Sequence, residues 1–79
     1  MTDEAINDPF AGTGGFRLER LPSVKARTGL SRSEIYRRVN AGTFPQPVKL
    51  GERASAWNSA EIDAWIAERI AERDRRAAA

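Results

Sequence analysis

The sequence predicts a mainly α-helical protein with one small β-hairpin, arranged as a winged helix-turn-helix. Three observations predict this fold: two helices joined by a tight glycine turn, a proline-containing break followed by two short runs typical of strands, and a last helix with its own start signal. The 79 residues suffice for one small domain. We predict a disordered acidic leader at residues 1–16, a folded domain at residues 17–74 and a frayed tail at residues 75–79.

The first helix is marked by residues that favour its two ends. Pro22 suits the first helical turn, because the N–H that proline lacks would have no partner there. Gly29 suits the left-handed position just past the helix, where a Cβ would be strained. We therefore predict a helix at residues 22–28, with Val24 facing the core.

The second helix has a stronger start signal. Ser31 and Glu34 have the spacing of a capping box, in which each side chain pairs with the backbone N–H of the other residue. Ile35 and Val39 then supply the core-facing positions of a helix at residues 32–41. The short connection between the two helices is typical of a helix-turn-helix.

A segment without helical character follows the second helix. Pro45 and Pro47 exclude helix and favour extended backbone. The runs at residues 48–50 and 54–57 then flank a turn at residues 51–53, and the first run alternates apolar and polar side chains. We predict a small β-hairpin, which in this position forms the wing of a winged helix-turn-helix.

The last helix begins with a second capping signal, at Asn58 and Glu61. We predict this helix at residues 59–73, with one apolar stripe at helical spacing. The stripe consists of Ile62, Trp65, Ile66 and Ile70. We expect Trp57 and Trp65 to be core residues rather than exposed stacking surfaces, because a small domain without disulfides needs large buried side chains.

The charge of the chain is unevenly distributed. Thirteen basic and eleven acidic residues leave a net charge of only +2. Residues 1–16 sum to −3, residues 17–58 to +6 and residues 59–79 to −1. The basic surplus therefore lies within the predicted helix-turn-helix and wing, as expected of a surface that faces phosphates.

The composition argues against several classes of function. The chain has no cysteine and no histidine, so disulfides, the usual zinc ligands and the commonest proton shuttle are all missing. We therefore expect no enzymatic activity, metal, cofactor or small-molecule substrate. No apolar stretch reaches the roughly 18–20 residues of a membrane span, and the start lacks the pattern of a signal peptide. We expect a cytoplasmic protein that binds no membrane.

Three motifs carry a resemblance to a known family. They are R-T-G-L-S-R-S-x-I-Y-R, F-P-x-P-V-K-L-G and x-W-N-x-x-E-I-D-A-W-I, in that order within residues 17–69. With these motifs the chain resembles the AlpA-type phage and prophage regulators, which are similar in turn to small excisionases with a MerR-like winged helix. Two features depart from the pattern: the acidic leader, and Lys25, which stands where many helix-turn-helix units carry a small or apolar residue.

The resemblance implies a function without a cofactor. It implies a nucleoid-associated protein that binds double-stranded DNA at specific sequences. Two biological roles of this DNA binding stay open. The protein regulates transcription, or it directs the excision of a prophage or other integrated mobile element. Self-association or cooperative loading on tandem sites is a further expectation. The alternative is a protein–protein interaction module that uses the arginine-rich second helix.

The outer side of the second helix carries the candidate base contacts. In a helix-turn-helix the N-terminal part of this helix enters the major groove. The residues away from its core stripe are Arg32, Ser33, Tyr36, Arg37 and Asn40. Arg37 is the best candidate for a bidentate contact to guanine. Tyr36 has two open roles, a phosphate contact through its hydroxyl or completion of the core beside Phe44, and the alternative for the charged residues is an ordinary solvated face.

The wing and the first helix carry the candidate contacts to the minor groove and to the DNA phosphates. Arg53, at the predicted turn of the hairpin, is placed to reach a minor groove, where narrow A·T tracts attract guanidinium groups. Lys49 lies on the outward face of the first wing strand, and Arg20 and Arg27 lie on or beside the first helix. We expect these three to contact phosphates, which fix the register of a protein on DNA. The alternative for Arg53 is a solvated turn residue.

Overall fold

The computed structural model describes residues 15–79 and has the mainly helical architecture with a hairpin wing that the sequence predicts. Its elements in chain order are β1 (Leu18–Glu19), α1 (Leu21–Thr28), α2 (Arg32–Ala41), β2 (Val48–Gly51), β3 (Ala54–Asn58) and α3 (Ser59–Ala78). The predicted fold class is confirmed. Most of the leader predicted at residues 1–16 lies outside the described residues.

The first two helices end where local sequence signals place them. α2 has the predicted bounds, and α1 begins one residue earlier than predicted. Gly29 follows α1 with a φ of 75°, in the left-handed region that favours glycine. Its N–H donates to the carbonyl of Lys25 at 2.8 Å, which closes the last turn of α1. Residues 29–31 therefore suffice to carry the chain from one helix to the next.

β2 and β3 form the predicted hairpin, with one irregularity. Lys49 pairs with Ser55, and the next pair is Gly51 with Ala54. Leu50 is therefore an extra residue on β2, and the hairpin carries a β-bulge beside its turn. All four residues of β2 are exposed, whereas the middle of β3 is buried. The wing thus presents one strand to solvent and packs the other against the helices.

β1 extends the sheet on the other side of β3, so the strand order is β1-β3-β2. Glu19 of β1 pairs with Trp57 in an antiparallel register. The N–H of Arg17 donates to Oγ of Ser59 at 2.8 Å, and this bond joins residues 42 apart. The sequence does not predict this strand, because two residues are too short for any alternation and their partners lie far along the chain.

The core is centred on Trp57, which is fully buried. The residues buried together are Val24, Ile35, Val39, Phe44, Trp57 and Ile62. They come from the three helices, the loop after α2 and β3, so one cluster joins all of these elements. Burial of each of the aliphatic or phenyl side chains contributes about 1.5–3 kcal/mol.

Two tryptophans also fix the loop between α2 and β2. The indole N–H of Trp57 donates to the carbonyl of Pro45, and that of Trp65 donates to the carbonyl of Thr43, each at 2.9 Å. The Trp65 ring meets Phe44 edge to face, with ring centres 4.9 Å apart. The predicted core role of Trp57 is confirmed, and Trp65 packs half-buried against the same cluster.

α3 begins at the predicted residue and is longer than predicted. The Oδ1 atom of Asn58 accepts from the backbone N–H of Ala60 at 2.8 Å and that of Glu61 at 3.4 Å. The helix continues to Ala78, beyond the end that the sequence predicts near residue 73. Good helix formers and spaced charge pairs stabilise this extension. The pairs are Glu68–Arg75 at 3.0 Å and Glu72–Arg76 at 3.5 Å.

The apolar stripe of α3 is buried at one end only. Ile62 is fully buried and Ile66 packs against the core, but Ile70 is 47% exposed. The predicted stripe therefore contacts the core through its N-terminal residues. The helix has 20 residues and is about 30 Å long, so its C-terminal half extends past the residues that it packs on.

Arg27 joins three elements through two carboxylates. Its guanidinium donates to Oε2 of Glu19 on β1 at 2.8 Å and also to Oδ1 of Asp63 on α3. Glu19 is only 7% exposed, so the first of these ion pairs is largely shielded from water. The hydrogen bonds that Arg27 donates to Glu19 and then to Asp63 raise the pKa of Arg27. The sequence predicts a phosphate contact for Arg27, and the structure shows its guanidinium paired with these two carboxylates.

We predict that Arg27→Met lowers the free energy of unfolding by about 1.5–3 kcal/mol, because the buried carboxylate of Glu19 loses its cation. Methionine keeps an apolar stem, so the loss is mainly electrostatic. Chemical denaturation followed by tryptophan fluorescence measures the change. Arg20→Met, which removes an exposed charge, is the control and leaves stability nearly unchanged. Adding Glu19→Gln to Arg27→Met restores part of the loss; a further loss would contradict the ion-pair explanation.

Candidate nucleic-acid interface

The start of α2 is fixed by a reciprocal capping box. Oγ of Ser31 accepts from the backbone N–H of Glu34 at 3.2 Å, and Oε1 of Glu34 accepts from the N–H of Ser31 at 2.9 Å. The backbone and side-chain hydrogen bonds from Ser31 lower the pKa of Glu34, and the charges of Arg38 and Arg37 lower it further. The first turn of α2 is therefore held in place by an ionised carboxylate.

Within residues 15–79, the arginines on the outer face of α2 make no ion pair. Four of the five residues predicted to contact bases are exposed: Arg32, Ser33, Arg37 and Asn40. Within residues 15–79, neither Arg32 nor Arg37 has a carboxylate partner. Ile35 and Val39, on the opposite face, are buried as predicted. The helix therefore presents two exposed guanidinium groups and two small polar side chains to solvent.

Tyr36 lies between the core and this exposed face. Its ring is half-buried and meets Trp57 edge to face, with ring centres 6.0 Å apart. The guanidinium of Arg32 lies over the same ring, 5.3 Å from its centre. The ring thus packs against the core cluster, which is one of the two roles expected for Tyr36. Through this stack, the position of Arg32 is linked to the core.

The wing carries two exposed cations. Arg53 lies in the turn between β2 and β3 and has no carboxylate partner among the described residues. Lys49 is also exposed, and its Nζ donates to the backbone carbonyl of Glu52 at 3.4 Å. Both predicted wing cations are therefore accessible at the end of the hairpin.

The two other residues predicted to contact DNA phosphates, Arg20 and Arg27, differ in whether the fold already pairs them with an acid. Arg20, just before α1, is exposed, whereas Arg27 is engaged by Glu19 and Asp63. Lys25, the departure from the family pattern, is exposed. No local motif indicates the pairing of Arg27 with Glu19 and Asp63, because these partners are 8 and 36 residues away along the chain.

Residues 15–79 carry neither of two other kinds of site. No group of three or more acidic side chains there could hold a metal ion. No described helix is both long enough and apolar enough to cross a membrane.

Comparison with known proteins gives the family. The family described as "Prophage CP4-57 regulatory protein (AlpA)" matches residues 17–70, which is most of the chain and includes every strand, α1, α2 and the packed half of α3. The chain belongs to the AlpA family. The resemblance carried by the three sequence motifs is therefore confirmed.

Two relatives of this AlpA-family chain are informative. Over 59 residues the chain is 48% identical to an uncharacterized protein, ORF88, of Enterobacteria phage P4, and the match covers 75% of this chain and 67% of the relative. Over 59 residues it is 39% identical to a protein of Escherichia coli K12 named DNA-binding transcriptional activator AlpA, covering 67% of this chain and 84% of the relative. No solved structure matches the chain.

We predict that Glu34→Gln weakens the dependence of stability on acid pH. Because the fold lowers the pKa of Glu34, its ionised form stabilises the folded state above the ordinary pKa, and this contribution is lost as pH falls through the folded pKa. Chemical denaturation in steps from about pH 7 to about pH 3 measures it. Glu61→Gln, at the equivalent position of α3, is the control. A Glu34→Gln profile that parallels the unaltered protein would refute this role for Glu34.

Proposed function

We propose that this AlpA-family chain binds specific sequences of double-stranded DNA and thereby regulates transcription. The observation that carries the proposal is the exposed face of α2, whose two guanidinium groups have no carboxylate partner within the described residues although the chain holds almost as many acids as bases. The name of the Escherichia coli relative, a DNA-binding transcriptional activator, supports the same function.

In the proposed complex α2 lies in the major groove. Arg37, exposed in the middle of the helix, donates a pair of hydrogen bonds to O6 and N7 of a guanine. Arg32 and Ser33, in the first turn, contact phosphates or base edges, and Asn40 contacts base edges further along the helix. The hydroxyl of Tyr36 contacts a phosphate while its ring stays against Trp57.

The wing and the start of α1 supply the remaining contacts. Arg53 enters the adjacent minor groove, where a narrow A·T tract concentrates negative potential. Lys49 and Arg20 contact phosphates and so fix the register of α2 on the duplex. Arg27 is left out of this set, because Glu19 and Asp63 already neutralise it.

Regulation of transcription is the output that the relatives favour, since one of them is named an activator. Direction of the excision of a prophage or another mobile element is the second candidate, because the same contacts can align several copies and bend the DNA. Stoichiometry separates the two. An excision factor loads several copies on tandem sites, and a regulator fills one or two. We propose a cytoplasmic, nucleoid-associated protein in either case.

The dependence of DNA binding on salt tests the proposal against the alternative of a protein–protein interaction module. Each phosphate that the protein neutralises adds about −0.9 to the slope of log K against log salt concentration. A fluorescent duplex that carries a site recovered from genomic fragments is titrated with protein at several salt concentrations. DNA binding predicts a clearly negative slope. An absence of binding at low salt would favour the interaction module.

We predict that Arg37→Ala costs about 1–3 kcal/mol of binding free energy on the specific site and relaxes preference at one base position. The reason is the loss of the paired hydrogen bonds to guanine. Affinities for the specific and a scrambled duplex measure it. Arg73→Ala, which removes an exposed charge on the far half of α3, is the matched control. Equal losses on both duplexes would make Arg37 a phosphate contact instead.

A further inference from the structure

The wing exposes apolar surface as well as charge. Leu50 is 50% exposed and Val48 is 41% exposed, both on β2. Val48 lies at the base of the hairpin, where it lines a shallow groove with Phe44 and Pro45. Leu50 lies at the other end of the strand, next to the turn. The exposure of Leu50 therefore has no explanation in the packing of the domain.

The β-bulge singles out Leu50. Lys49 pairs with Ser55 and Gly51 pairs with Ala54, so Leu50 is the residue without a partner on β3. Bulges of this kind redirect a side chain and occur often beside functional sites and at sheet edges. The hairpin is thus built with one extra residue, and that residue is a large apolar one.

The charges around Leu50 indicate what it contacts. Lys49 precedes it, Arg53 follows three residues later, and Glu52 is the one acid of the turn. Lysine and glutamate are depleted at protein–protein interfaces, so Lys49 and Glu52 make a protein partner a poorer fit for this tip. The minor groove of DNA fits better, since its phosphates attract the cations and its sugar walls accept apolar side chains. Proteins that bind this groove often place leucine there.

We propose that Leu50 is an apolar contact of the wing tip with the sugars of the DNA minor groove. The proposal rests on the DNA-binding function proposed above and adds a contact that is not electrostatic. Lys49 and Arg53 bring the tip to the phosphates. Leu50 then loses its exposed surface to the groove, which stabilises the complex through burial of apolar area.

The test compares Leu50→Ala with the unaltered protein on one duplex that carries a single site. We expect binding to weaken about 5- to 30-fold. The slope of log K against log salt stays unchanged, because no charge is removed. Hydroxyl-radical footprinting shows the lost contact directly, as renewed cleavage of the minor-groove sugars under the wing. Arg53→Ala, in contrast, reduces the magnitude of the salt slope by about 0.9.

Two further variants test whether the loss of affinity depends on the position of Leu50 and on the apolar character of its side chain. Ile70→Ala removes an apolar side chain of similar exposure on the far half of α3, and it leaves affinity and footprint unchanged. Leu50→Met keeps an apolar side chain and binds within about twofold of the unaltered protein. Thermal unfolding confirms that Leu50→Ala is folded.

Three results would each contradict the proposed contact between Leu50 and DNA. If Leu50→Ala binds as tightly as the unaltered protein with the same footprint, Leu50 does not contact DNA. If its affinity for a single site is unchanged and sedimentation shows reduced self-association, the wing tip contacts a second copy of the chain instead. If the unaltered protein binds no duplex at any salt concentration, the proposed function itself fails, independently of Leu50.

Discussion

The helices and the wing of this domain are held together by the burial of Trp57. A chain of 79 residues without cysteine has to hold its helices and strands together with one small apolar cluster. Trp57 supplies the largest fully buried side chain of that cluster, and its indole N–H also ties down the loop that leads to the wing. Its ring meets Tyr36 of α2. The helix proposed to enter the major groove and the strand that supports the wing are therefore anchored at one residue, which fixes their relative position.

How much could be predicted from the sequence depends on the distance between the residues involved. Ser31 and Glu34 fix the start of α2 within one helical turn, and Gly29 closes α1 four residues from the carbonyl that it caps. Signals of this kind are complete in the local sequence, so the helices and the hairpin were predictable. The contact of β1 with β3 and the pairing of Arg27 with Asp63 join residues dozens of positions apart, and no local pattern encodes them.

The candidate site residues also differ in how far the local sequence determines their exposure and pairing. Arg32, Ser33, Arg37 and Asn40 follow from the helical period once the core stripe is assigned, and the structure leaves all four exposed. Arg27 was predicted to contact a phosphate from its position on the first helix, but its guanidinium is paired with a buried acid on a two-residue strand. A count of basic residues thus overstates the number available to a partner. The more informative quantity is the number of cations that the fold leaves without an acid.

The outer strand of the wing has a further consequence, for the behaviour of the protein in concentrated solution. β2 is the last strand of its sheet among the described residues, and its four residues are exposed. An apolar strand in that position can recruit a strand from another molecule and start aggregation. Three features oppose this: Pro47 next to the strand, the cation of Lys49 within it, and the interruption of its hydrogen-bonding register at Leu50. The wing can thus keep an apolar edge open to a ligand while remaining a poor template for self-assembly.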